Sequence, residues 1–219
     1  MSLLLPTREV TLCFVTDRKS LSVSAEKRPE ALLEKIEYAA RAGVGWIQIR
    51  EKDLSGRALA QLVGEALGRV TASCRILVND RLDVACALGA GGVHLGEGSL
   101  SVQDARRLLR GRSQAKDFVV GASTHSLEGA FSAEKAGADY VIFGPVYATP
   151  SKVPYGPPQG IARLAEVCRT VSLPVLAIGG ITIDNARACL EAGAAGIAAI
   201  RMFQDAEDLA AVAQELRRD

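Results

Sequence analysis

The sequence predicts an α/β fold, a single-domain (βα)8 TIM barrel that spans residues 1–219. Three observations support this fold class. The length of 219 residues suits one barrel of this kind. A short phrase rich in alanine and glycine recurs along the chain, and short apolar segments alternate with amphipathic, helix-like segments.

The repeated phrase follows a helix-like segment each time and precedes a short apolar run. Its marker glycines lie 46, 48 and 56 residues apart, about twice the length of one βα unit, which is roughly 25–30 residues. A glycine just past a helix end is typical of a left-handed C-cap, because a Cβ atom is strained there. The repeat therefore predicts four helix-to-strand turns, with another strand and helix between successive copies. The marker glycines are Gly43, Gly89, Gly137 and Gly193.

Several predicted strands, such as 140–144, are continuous apolar runs, which is typical of parallel strands covered by helices. Segments 31–41 and 56–72 have apolar residues at three- and four-residue spacing, as amphipathic helices do. Eight strands that alternate with eight helices favour a closed barrel. An open doubly wound sheet is the alternative, although no Gly-x-Gly-x-x-Gly follows the first strand. The predicted strands are 11–16, 45–50, 75–79, 92–95, 118–121, 140–144, 175–179 and 197–200.

Composition and the cysteine pattern indicate a globular, cytoplasmic protein, and we expect its partners to be phosphorylated small molecules bound by a local cluster of residues. Hydrophobic residues make up 48% and charged residues 23% of the chain, which is ordinary for a globular protein. A net charge of +1 favours neither nucleic acid nor a membrane as partner, so an anion needs a local cationic cluster. We expect the five scattered cysteines to be reduced thiols and residues 1–5 not to be a signal peptide. No apolar stretch is long enough to span a membrane, and a homo-oligomer is left open.

Polar residues follow the predicted strands one after another, at the barrel face where enzymes of this fold have their active sites. Each has a structural explanation by itself, since Arg50 could pair with Glu51 and His94 could be a satisfied interior residue. Their joint position predicts an active site that includes both histidines of the chain. In strand order they are Arg50, Glu51 and Lys52; Asn79, Asp80 and Arg81; His94 and Glu97; Ser123, Thr124 and His125; Thr149, Pro150, Ser151 and Lys152; Gly179 and Gly180; and Arg201.

This set predicts two anion sites of different construction. The first is cationic, with arginine and lysine side chains that converge on an anion and hydroxyl groups that donate to it. Asp80 offers the hard oxygen ligand that Mg²⁺ uses when it bridges phosphates. The second site is the backbone at Gly179 and Gly180, whose amides are suited to a phosphate, although a plain strand-to-helix turn explains the same glycines. The groups of the first site are Arg50, Lys52, Lys152, Thr149 and Ser151.

Five motifs resemble those of thiamine-phosphate synthases, whose superfamily also includes the TenI-type thiazole tautomerases. The resemblance runs from the first strand to the last helix. It implies a (βα)8 fold and an enzyme of thiamine biosynthesis. The motifs are 48–52 (QIREK), 78–81 (VNDR), 92–96 (GVHLG), 144–152 (GPVYATPSK) and 177–182 (AIGGIT).

In the synthases, hydroxymethylpyrimidine diphosphate loses pyrophosphate, and the nitrogen of a thiazole phosphate attacks the resulting methylene cation. The resemblance implies Ser123, His125 and Lys152 as candidate catalytic residues and Mg²⁺ as cofactor. The implied contacts are Arg50, Lys52, Asn79 and Lys152 to the diphosphate; Asp80 to Mg²⁺; Gln48 to the pyrimidine; Ser123 to the reacting region; Thr149 and Ser151 between the substrates; and the backbone amides of Gly180 and Ile200 to the thiazole phosphate.

The chain departs from the synthase pattern at two positions. The synthases typically have a second aspartate ligand to magnesium where this chain has Ser99, and a hydroxyl is a much weaker Mg²⁺ ligand than a carboxylate. Glu97 lies two residues away and could replace it. Arg201 stands where a small polar residue is more usual, so it would either strengthen binding of the thiazole phosphate or indicate a changed substrate.

These departures leave alternatives to the synthase. In a thiazole tautomerase, which isomerises a carboxythiazole phosphate, a histidine at the place of His125 transfers a proton, as an imidazole with a pKa near neutrality can. A non-catalytic family member would bind thiazole or thiamine phosphate, and Ser99 supports it. A different phosphate-binding barrel would share the turn at Gly179 and Gly180 but not the motifs 48–52 and 149–152. The intact diphosphate set favours the synthase.

Overall fold

Eight parallel strands form a closed barrel in the computed structural model, which describes residues 9–111, 117–149 and 157–218. Each strand pairs with the next one along the chain, and the last pairs with the first, so that Thr11 lies beside Gly196. The predicted (βα)8 fold is confirmed, and closure excludes the open sheet. The strands are β1 (Thr11–Val15), β2 (Trp46–Ile49), β3 (Arg75–Asn79), β4 (Gly92–Leu95), β5 (Val119–Thr124), β6 (Tyr140–Phe143), β7 (Val175–Ile178) and β8 (Gly196–Ala199).

Helices cover the outside of the barrel between the strands. The predicted helix 31–41 is observed as Arg28–Arg41, and it begins earlier because Pro29, with its fixed φ, suits the first helical turn. The predicted helix 56–72 is observed as Gly56–Arg69. Within the described ranges the helices are α1 (Arg28–Arg41), α2 (Gly56–Arg69), α3 (Leu82–Leu88), α4 (Val102–Leu109), α5 (Leu127–Lys135), α6 (Gly160–Thr170), α7 (Ile183–Glu191), α8 (Arg201–Gln204) and α9 (Leu209–Leu216), and a 3₁₀ turn lies at Arg18–Ser20.

The four marker glycines of the repeat lie just past the ends of alternate helices, α1, α3, α5 and α7. Their φ angles run from 67° to 100°, in the left-handed region where a Cβ atom is strained. At Gly43, for example, the chain leaves α1 and turns toward β2. The prediction of four helix-to-strand turns is confirmed.

Apolar side chains are buried on both sides of the barrel wall, inside the barrel and between the strands and the helices. In β1, Cys13 and Val15 belong to the cluster inside the barrel, while Leu12 and Phe14 belong to the larger cluster between the strands and the helices. Alternate residues of a strand point to opposite sides, so a wall buried on both sides needs apolar residues at every position. This explains why the strands appear in the sequence as continuous apolar runs.

None of the five cysteines, all within the described ranges, forms a disulfide. Burial raises the pKa of the Cys13 thiol to about 12, and it does the same for Cys74. These two thiols therefore stay protonated at neutral pH. No helix in the described part of the chain is long and apolar enough to cross a membrane.

Ser123 was predicted to follow the fifth strand and lies within it instead, whereas His94 lies within the fourth strand, inside the predicted range 92–95. Strand β5 continues to Thr124, because its pairing with β6 extends to Thr124 opposite Phe143, and Ser123 is therefore a strand residue. His94 lies inside β4, where it is opposite Asn79 of β3. Both Ser123 and His94 are held by the barrel wall rather than by a loop.

Candidate active site

Polar side chains replace apolar ones at the inward-facing positions nearest the carboxyl ends of several strands. Trp46 and Leu77 belong to the interior cluster, and a polar residue lies two positions after each. Since alternate residues of a strand share a face, these polar side chains face the barrel interior as well. They therefore meet at the end of the barrel where the active site was predicted. The inward-facing polar residues are Gln48, Asn79, His94 and Ser123.

A chain of hydrogen bonds connects Gln48, Asn79 and Asp80. Nε2 of Gln48 donates to Oδ1 of Asn79 at 2.8 Å, and Nδ2 of Asn79 donates to Oδ2 of Asp80 at 2.6 Å. An ionised carboxylate only accepts, so Asp80 orients the amide of Asn79, and Asn79 in turn orients that of Gln48. Oε1 of Gln48 is left buried, with no hydrogen-bond partner among the described residues. This oxygen is an acceptor suited to an N–H or O–H group of a ligand.

Asp80 is held as a fixed carboxylate by the backbone and by Ser99. Its φ of 62° lies in the left-handed region, and its backbone N–H donates to the carbonyl oxygen of His94 at 2.8 Å. Its Oδ1 accepts from the N–H of Gly96 at 3.0 Å and from the hydroxyl of Ser99. Burial by itself would raise the pKa of Asp80, but these two hydrogen bonds and the charge of Lys52 lower it below its ordinary value.

The candidate magnesium site has one well-placed carboxylate, that of Asp80. The hydroxyl of Ser99 donates a hydrogen bond to Asp80, and Glu97 is exposed. The described part of the chain contains no cluster of three acidic, histidine or cysteine side chains able to hold a metal ion. One carboxylate is nevertheless compatible with Mg²⁺, which keeps several waters and shares phosphate oxygens. Mg²⁺ and the substitution of Glu97 for the second ligand both stay predictions.

Arg50 and Lys52 follow β2 and bring two positive charges to this end of the barrel. The suggested pairing of Arg50 with Glu51 is wrong, because the carboxylate of Glu51 accepts from Thr16 and Arg18 instead. No ion pair to Arg50 or Lys52 occurs within the described residues. These two cations are suited to bind an anion, and the carboxylate of Asp80 is suited to bind a metal ion that the anion carries.

His94 bridges two hydroxyl groups inside the barrel. Its Nδ1 lies 3.0 Å from the phenol oxygen of Tyr140, and its Nε2 lies 2.9 Å from Oγ of Ser123. Gly121 makes room for the phenol, since a Cβ atom there would lie 2.0 Å from Cζ of Tyr140. Burial raises the pKa of Tyr140 well above its ordinary value, so the phenol stays protonated. His94 is thus a satisfied interior residue, and it also holds the hydroxyl of Ser123.

The predicted residues after β5 and β6 are described only in part. Nδ1 of His125 contacts the carbonyl oxygen of Gly144, so this nitrogen carries the proton. Thr149 is half-buried at the end of a described range. Pro150, Ser151 and Lys152 lie outside the described residues, and the roles predicted for Ser151 and Lys152 stay predictions.

The two glycines after β7 let two loops approach each other. Gly180 has a φ of 64°, and a Cβ atom on it would lie 2.5 Å from the carbonyl oxygen of Ala148. The N–H of Tyr147 donates to the carbonyl oxygen of Gly179 at 3.0 Å. Glycine is therefore required by the packing of the loop after β6, whether or not the Gly180 amide binds a phosphate.

Ile200 and Arg201 lie where β8 passes into α8. Ile200 is partly buried against the interior cluster, and Arg201 is the exposed first residue of the helix. No carboxylate forms an ion pair with Arg201 in the described part of the chain. An exposed, unpaired guanidinium beside this turn suits a phosphate, and the predicted contacts of both residues stay predictions.

The residues that directly follow β1 were not among the site residues predicted from the sequence. Thr16 and Arg18 contact Glu51, and the Gln204 side chain of α8 contacts the backbone of Asp17. Their position could have identified them, because Thr16 to Arg18 follow the first strand just as the predicted site residues follow the later strands. Their partners lie far away along the chain and could not be read from spacing.

A cavity of about 450 Å³ opens at the opposite end of the barrel, near the start of β1 and β2. Its two arginines donate to backbone carbonyl oxygens, Arg75 to those of Gly91 and Asp117 and Arg217 to that of Gly43. These guanidinium groups are committed to the framework, which makes this end less suited to an anionic substrate than the end that carries Arg50 and Lys52.

Comparison with known proteins identifies relatives over nearly the whole chain. A family model described as thiamine monophosphate synthase matches residues 12–203. Thiamine-phosphate synthase of Roseiflexus sp. (strain RS-1) is 40% identical over 92% of this chain and 81% of its own length. That of Methanoregula boonei is 44% identical over 82% of each chain. The solved thiamine phosphate pyrophosphorylase of Pyrococcus furiosus is 33% identical, with a TM-score of 0.80 over 96% of this chain and 95% of that one.

Proposed function

This chain belongs to the thiamine monophosphate synthase family, and we propose that it joins hydroxymethylpyrimidine diphosphate to a thiazole phosphate with release of pyrophosphate. Its relatives indicate a transferase of thiamine biosynthesis. One observation about the site carries the proposal. The hydrogen-bond chain from Gln48 through Asn79 to Asp80 lies next to the cations Arg50 and Lys52. It combines a ring-binding acceptor with a diphosphate-binding cluster.

In the proposed reaction, the bond between the methylene carbon of the pyrimidine and the diphosphate oxygen breaks, and the electron pair leaves with pyrophosphate. The lone pair of the thiazole nitrogen then forms the new carbon–nitrogen bond. Negative charge grows on the leaving oxygen, and cations placed beforehand stabilise it more than reorganising water does. Arg50 and Lys52 are suited to this task, with Lys152 as a further predicted contact.

Gln48 is suited to orient the pyrimidine. Its buried Oε1 accepts from an amino group of the ring, while Nε2 is held by Asn79. The polarity of the amide is set by the negative charge of Asp80, two hydrogen bonds away. The residue group that holds the diphosphate therefore also orients the ring, which aligns the breaking bond with the leaving-group site.

Ser123 and His94 provide a polar, fixed wall beside the reacting carbon. The hydroxyl of Ser123 is positioned by Nε2 of His94, and the imidazole is positioned by Tyr140. Apolar interior residues surround this group, and such a surface would limit capture of the methylene cation by water. His125 is a further catalytic candidate on the same face.

The thiazole phosphate is assigned to the turns after β7 and β8. There the backbone amides of Gly180 and Ile200 and the exposed guanidinium of Arg201 are suited to hold a phosphate, while Thr149 and Ser151 would lie between the two substrates. Mg²⁺ would be held by Asp80 and by oxygens of the diphosphate, and when bound it would neutralise charge on the leaving group. One protein carboxylate is enough for such a site, because the diphosphate and water would supply the other oxygen ligands.

The remaining expectations follow from the same chemistry. Small phosphorylated molecules are the partners that the family indicates. We propose a cytoplasmic location, with no nucleic acid or membrane as partner, because the net charge is near zero and the substrates are soluble metabolites. A homo-oligomer remains open to measurement.

The deciding experiment is a turnover assay with both substrates that follows pyrophosphate release, with Mg²⁺ and with a chelator. We expect Mg²⁺-dependent release that requires the thiazole phosphate and is strongly reduced in Lys52→Ala. No turnover, together with isomerisation of a carboxythiazole phosphate, would establish a tautomerase instead. Tight binding of thiazole or thiamine phosphate without any turnover would establish a non-catalytic binder.

A further inference from the structure

Three buried polar side chains have no part in the proposed reaction. Thr16, Glu51 and Gln204 are 0%, 6% and 3% exposed. Burying polar or charged groups costs free energy unless they are hydrogen-bonded, so their contacts show what they hold in place. Thr16 belongs to the segment that follows β1, residues 16–20, which we call the β1 segment, and Glu51 and Gln204 both contact it.

On one side, the β1 segment holds Glu51, which lies between the cations Arg50 and Lys52. Oγ1 of Thr16 donates to Oε1 of Glu51 at 2.6 Å and accepts from the backbone N–H of Arg50 at 3.0 Å. Arg18 donates to Glu51 from its backbone N–H at 3.1 Å and from Nη1 at 2.8 Å. The turn that carries the two cations is therefore tied to the β1 segment through buried, charge-assisted hydrogen bonds.

The guanidinium of Arg18 also reaches the far end of this turn. Its two terminal nitrogens each lie 2.7 Å from an oxygen of Asp53, in a bidentate pair. The Arg18 side chain is only 13% exposed, whereas Asp53 is 40% exposed, so the contact to buried Glu51 is the one least weakened by solvent. Arg18 thus holds the turn before and after Lys52.

On the other side, the β1 segment is tied to α8, which begins directly after Ile200. The side-chain amide of Gln204 pairs with the backbone of Asp17: Nε2 donates to the carbonyl oxygen at 3.1 Å, and Oε1 accepts from the N–H at 3.4 Å. Nε2 also donates to the hydroxyl of Ser20. The buried amide of Gln204 therefore positions the β1 segment against the helix at the proposed thiazole-phosphate end.

We propose that the β1 segment is a brace that holds the two anion half-sites at a fixed separation, with Thr16, Arg18, Glu51 and Gln204 as positioning residues. The assignment of the half-sites rests on the proposed function. The brace itself rests on the contacts that join the turn after β2 to α8. Fixed separation matters because the two substrates must meet with the thiazole nitrogen aligned on the methylene carbon.

If the brace connects the two half-sites, a substitution at one of them changes binding at the other. Residues that only stabilised their own surroundings would not have this effect. Removing the Gln204 amide, which lies at the thiazole-phosphate end, loosens Arg18 and thereby Glu51, so it weakens binding at the diphosphate end. The loss of hydrogen bonds of ordinary strength would raise the dissociation constant by about three- to tenfold. The side chain of Arg18 carries part of this effect, beside Thr16 and the backbone N–H of Arg18, so the effect becomes smaller when the Arg18 side chain has already been replaced.

The test measures pyrophosphate binding in the presence of Mg²⁺ by calorimetry for wild type, Gln204→Leu, Arg18→Met and the double variant. We expect the dissociation constant to rise about three- to tenfold in each single variant, with less than about a twofold further rise when Gln204→Leu is added to Arg18→Met. Effects that multiply independently would overturn the brace. So would an unchanged pyrophosphate affinity in Gln204→Leu. Gln61→Leu is the matched control and should leave the affinity unchanged, because it removes an exposed glutamine side chain that contacts Glu65 of the same helix.

Hydrogen exchange tests the brace separately from the proposed function. The N–H of Arg50 donates to Thr16, so the brace requires faster exchange at Arg50 in Gln204→Leu than in wild type, without any ligand. Unchanged exchange there would overturn the brace even if the enzyme is a synthase. Faster exchange with no pyrophosphate binding by wild type would support the brace and reject the proposed function. Ser20→Ala removes the contacts of the Ser20 hydroxyl to Gln204 and to the carbonyl oxygen of Asp17, and it keeps both measurements usable if Gln204→Leu does not fold.

Discussion

Nε2 of His94 lies 2.9 Å from Oγ of Ser123, deep in the end of the barrel that carries the candidate active site. The imidazole is 1% exposed, and its other nitrogen lies 3.0 Å from the phenol oxygen of Tyr140. A histidine held on both sides keeps one ring orientation, so the hydroxyl of Ser123 has a defined position beside the proposed substrates.

The first prediction concerns Tyr140→Phe, which removes only the phenol oxygen. We expect kcat to fall by about three- to tenfold, because a ring that loses one of its two hydrogen bonds positions Ser123 less well. Steady-state kinetics measures this effect. In the background of Ser123→Ala, the same change should alter kcat by less than about twofold, since no hydroxyl remains to be positioned. Equal effects in both backgrounds would show that Tyr140 does not act through Ser123.

The second prediction separates the two anion sites. Lys52→Ala and Asp80→Ala should each weaken pyrophosphate binding by about tenfold or more in the presence of Mg²⁺, because Lys52 supplies a cation to the anion and Asp80 supplies the carboxylate proposed to hold Mg²⁺. Both should leave thiazole phosphate binding nearly unchanged. Arg201→Ala is the reciprocal variant and should weaken only the thiazole phosphate. Calorimetric titration with each ligand measures these affinities, and an equal loss for both ligands in Lys52→Ala would contradict the assignment of two sites.

The third prediction concerns the position of Ser99. Ser99→Asp places a second carboxylate beside Asp80, and two carboxylates bind a hard cation more tightly than one. We expect the Mg²⁺ concentration that gives half-maximal turnover to fall by about three- to tenfold, since charge count tunes such affinities.

Two control variants accompany Ser99→Asp. Ser99→Ala removes the hydroxyl donor to Asp80 without adding charge, so it should not lower the Mg²⁺ requirement. Glu97→Gln should have no effect on it, because Glu97 is exposed, whereas Ser99 contacts Asp80 directly. A raised Mg²⁺ requirement in Glu97→Gln would show instead that Glu97 supplies the second ligand.

The fourth prediction concerns stability. Gly121→Ala would place a Cβ atom 2.0 Å from Cζ of the buried Tyr140, which is far inside van der Waals contact. We expect the free energy of unfolding to fall by about 3 kcal/mol, as for overpacked cores. Gly64→Ala is the matched control, because Gly64 is exposed within α2 and a Cβ atom there meets nothing. It should raise stability by about 0.5–1 kcal/mol. Chemical denaturation measures both, and a Gly121→Ala protein as stable as wild type would contradict the packing.

Local rules account for the parts of the fold that could be predicted. The glycine after each alternate helix is required by the backbone conformation of that turn alone, so the repeat at Gly43 and its three counterparts predicted the helix-to-strand turns. Burial of both faces of the wall makes each strand a continuous apolar run, and this pattern is legible without knowing which strands pair. The position after a strand likewise predicted Arg50, Lys52 and Asp80, because all strand ends of a parallel barrel meet at one face.

Other features depend on residues that are far apart in the chain. The extent of β5, and with it the placement of Ser123, was decided by pairing with β6. The partners of Glu51 came from the segment after β1 rather than from its neighbour Arg50. No local pattern encodes which side chains barrel closure brings together.

By itself, the sequence determined the barrel, its turns, the face that carries the site and the family resemblance, because each depends on backbone conformation, periodicity or residues close together in the chain. Only the tertiary structure decided that Asp80 orients Gln48 through Asn79, that His94 holds Ser123, and that the segment after β1 contacts both Glu51 and Gln204. The physical reason is that hydrogen bonds of about 3 Å require atoms to be placed by the closed barrel, and spacing along the chain carries no such information.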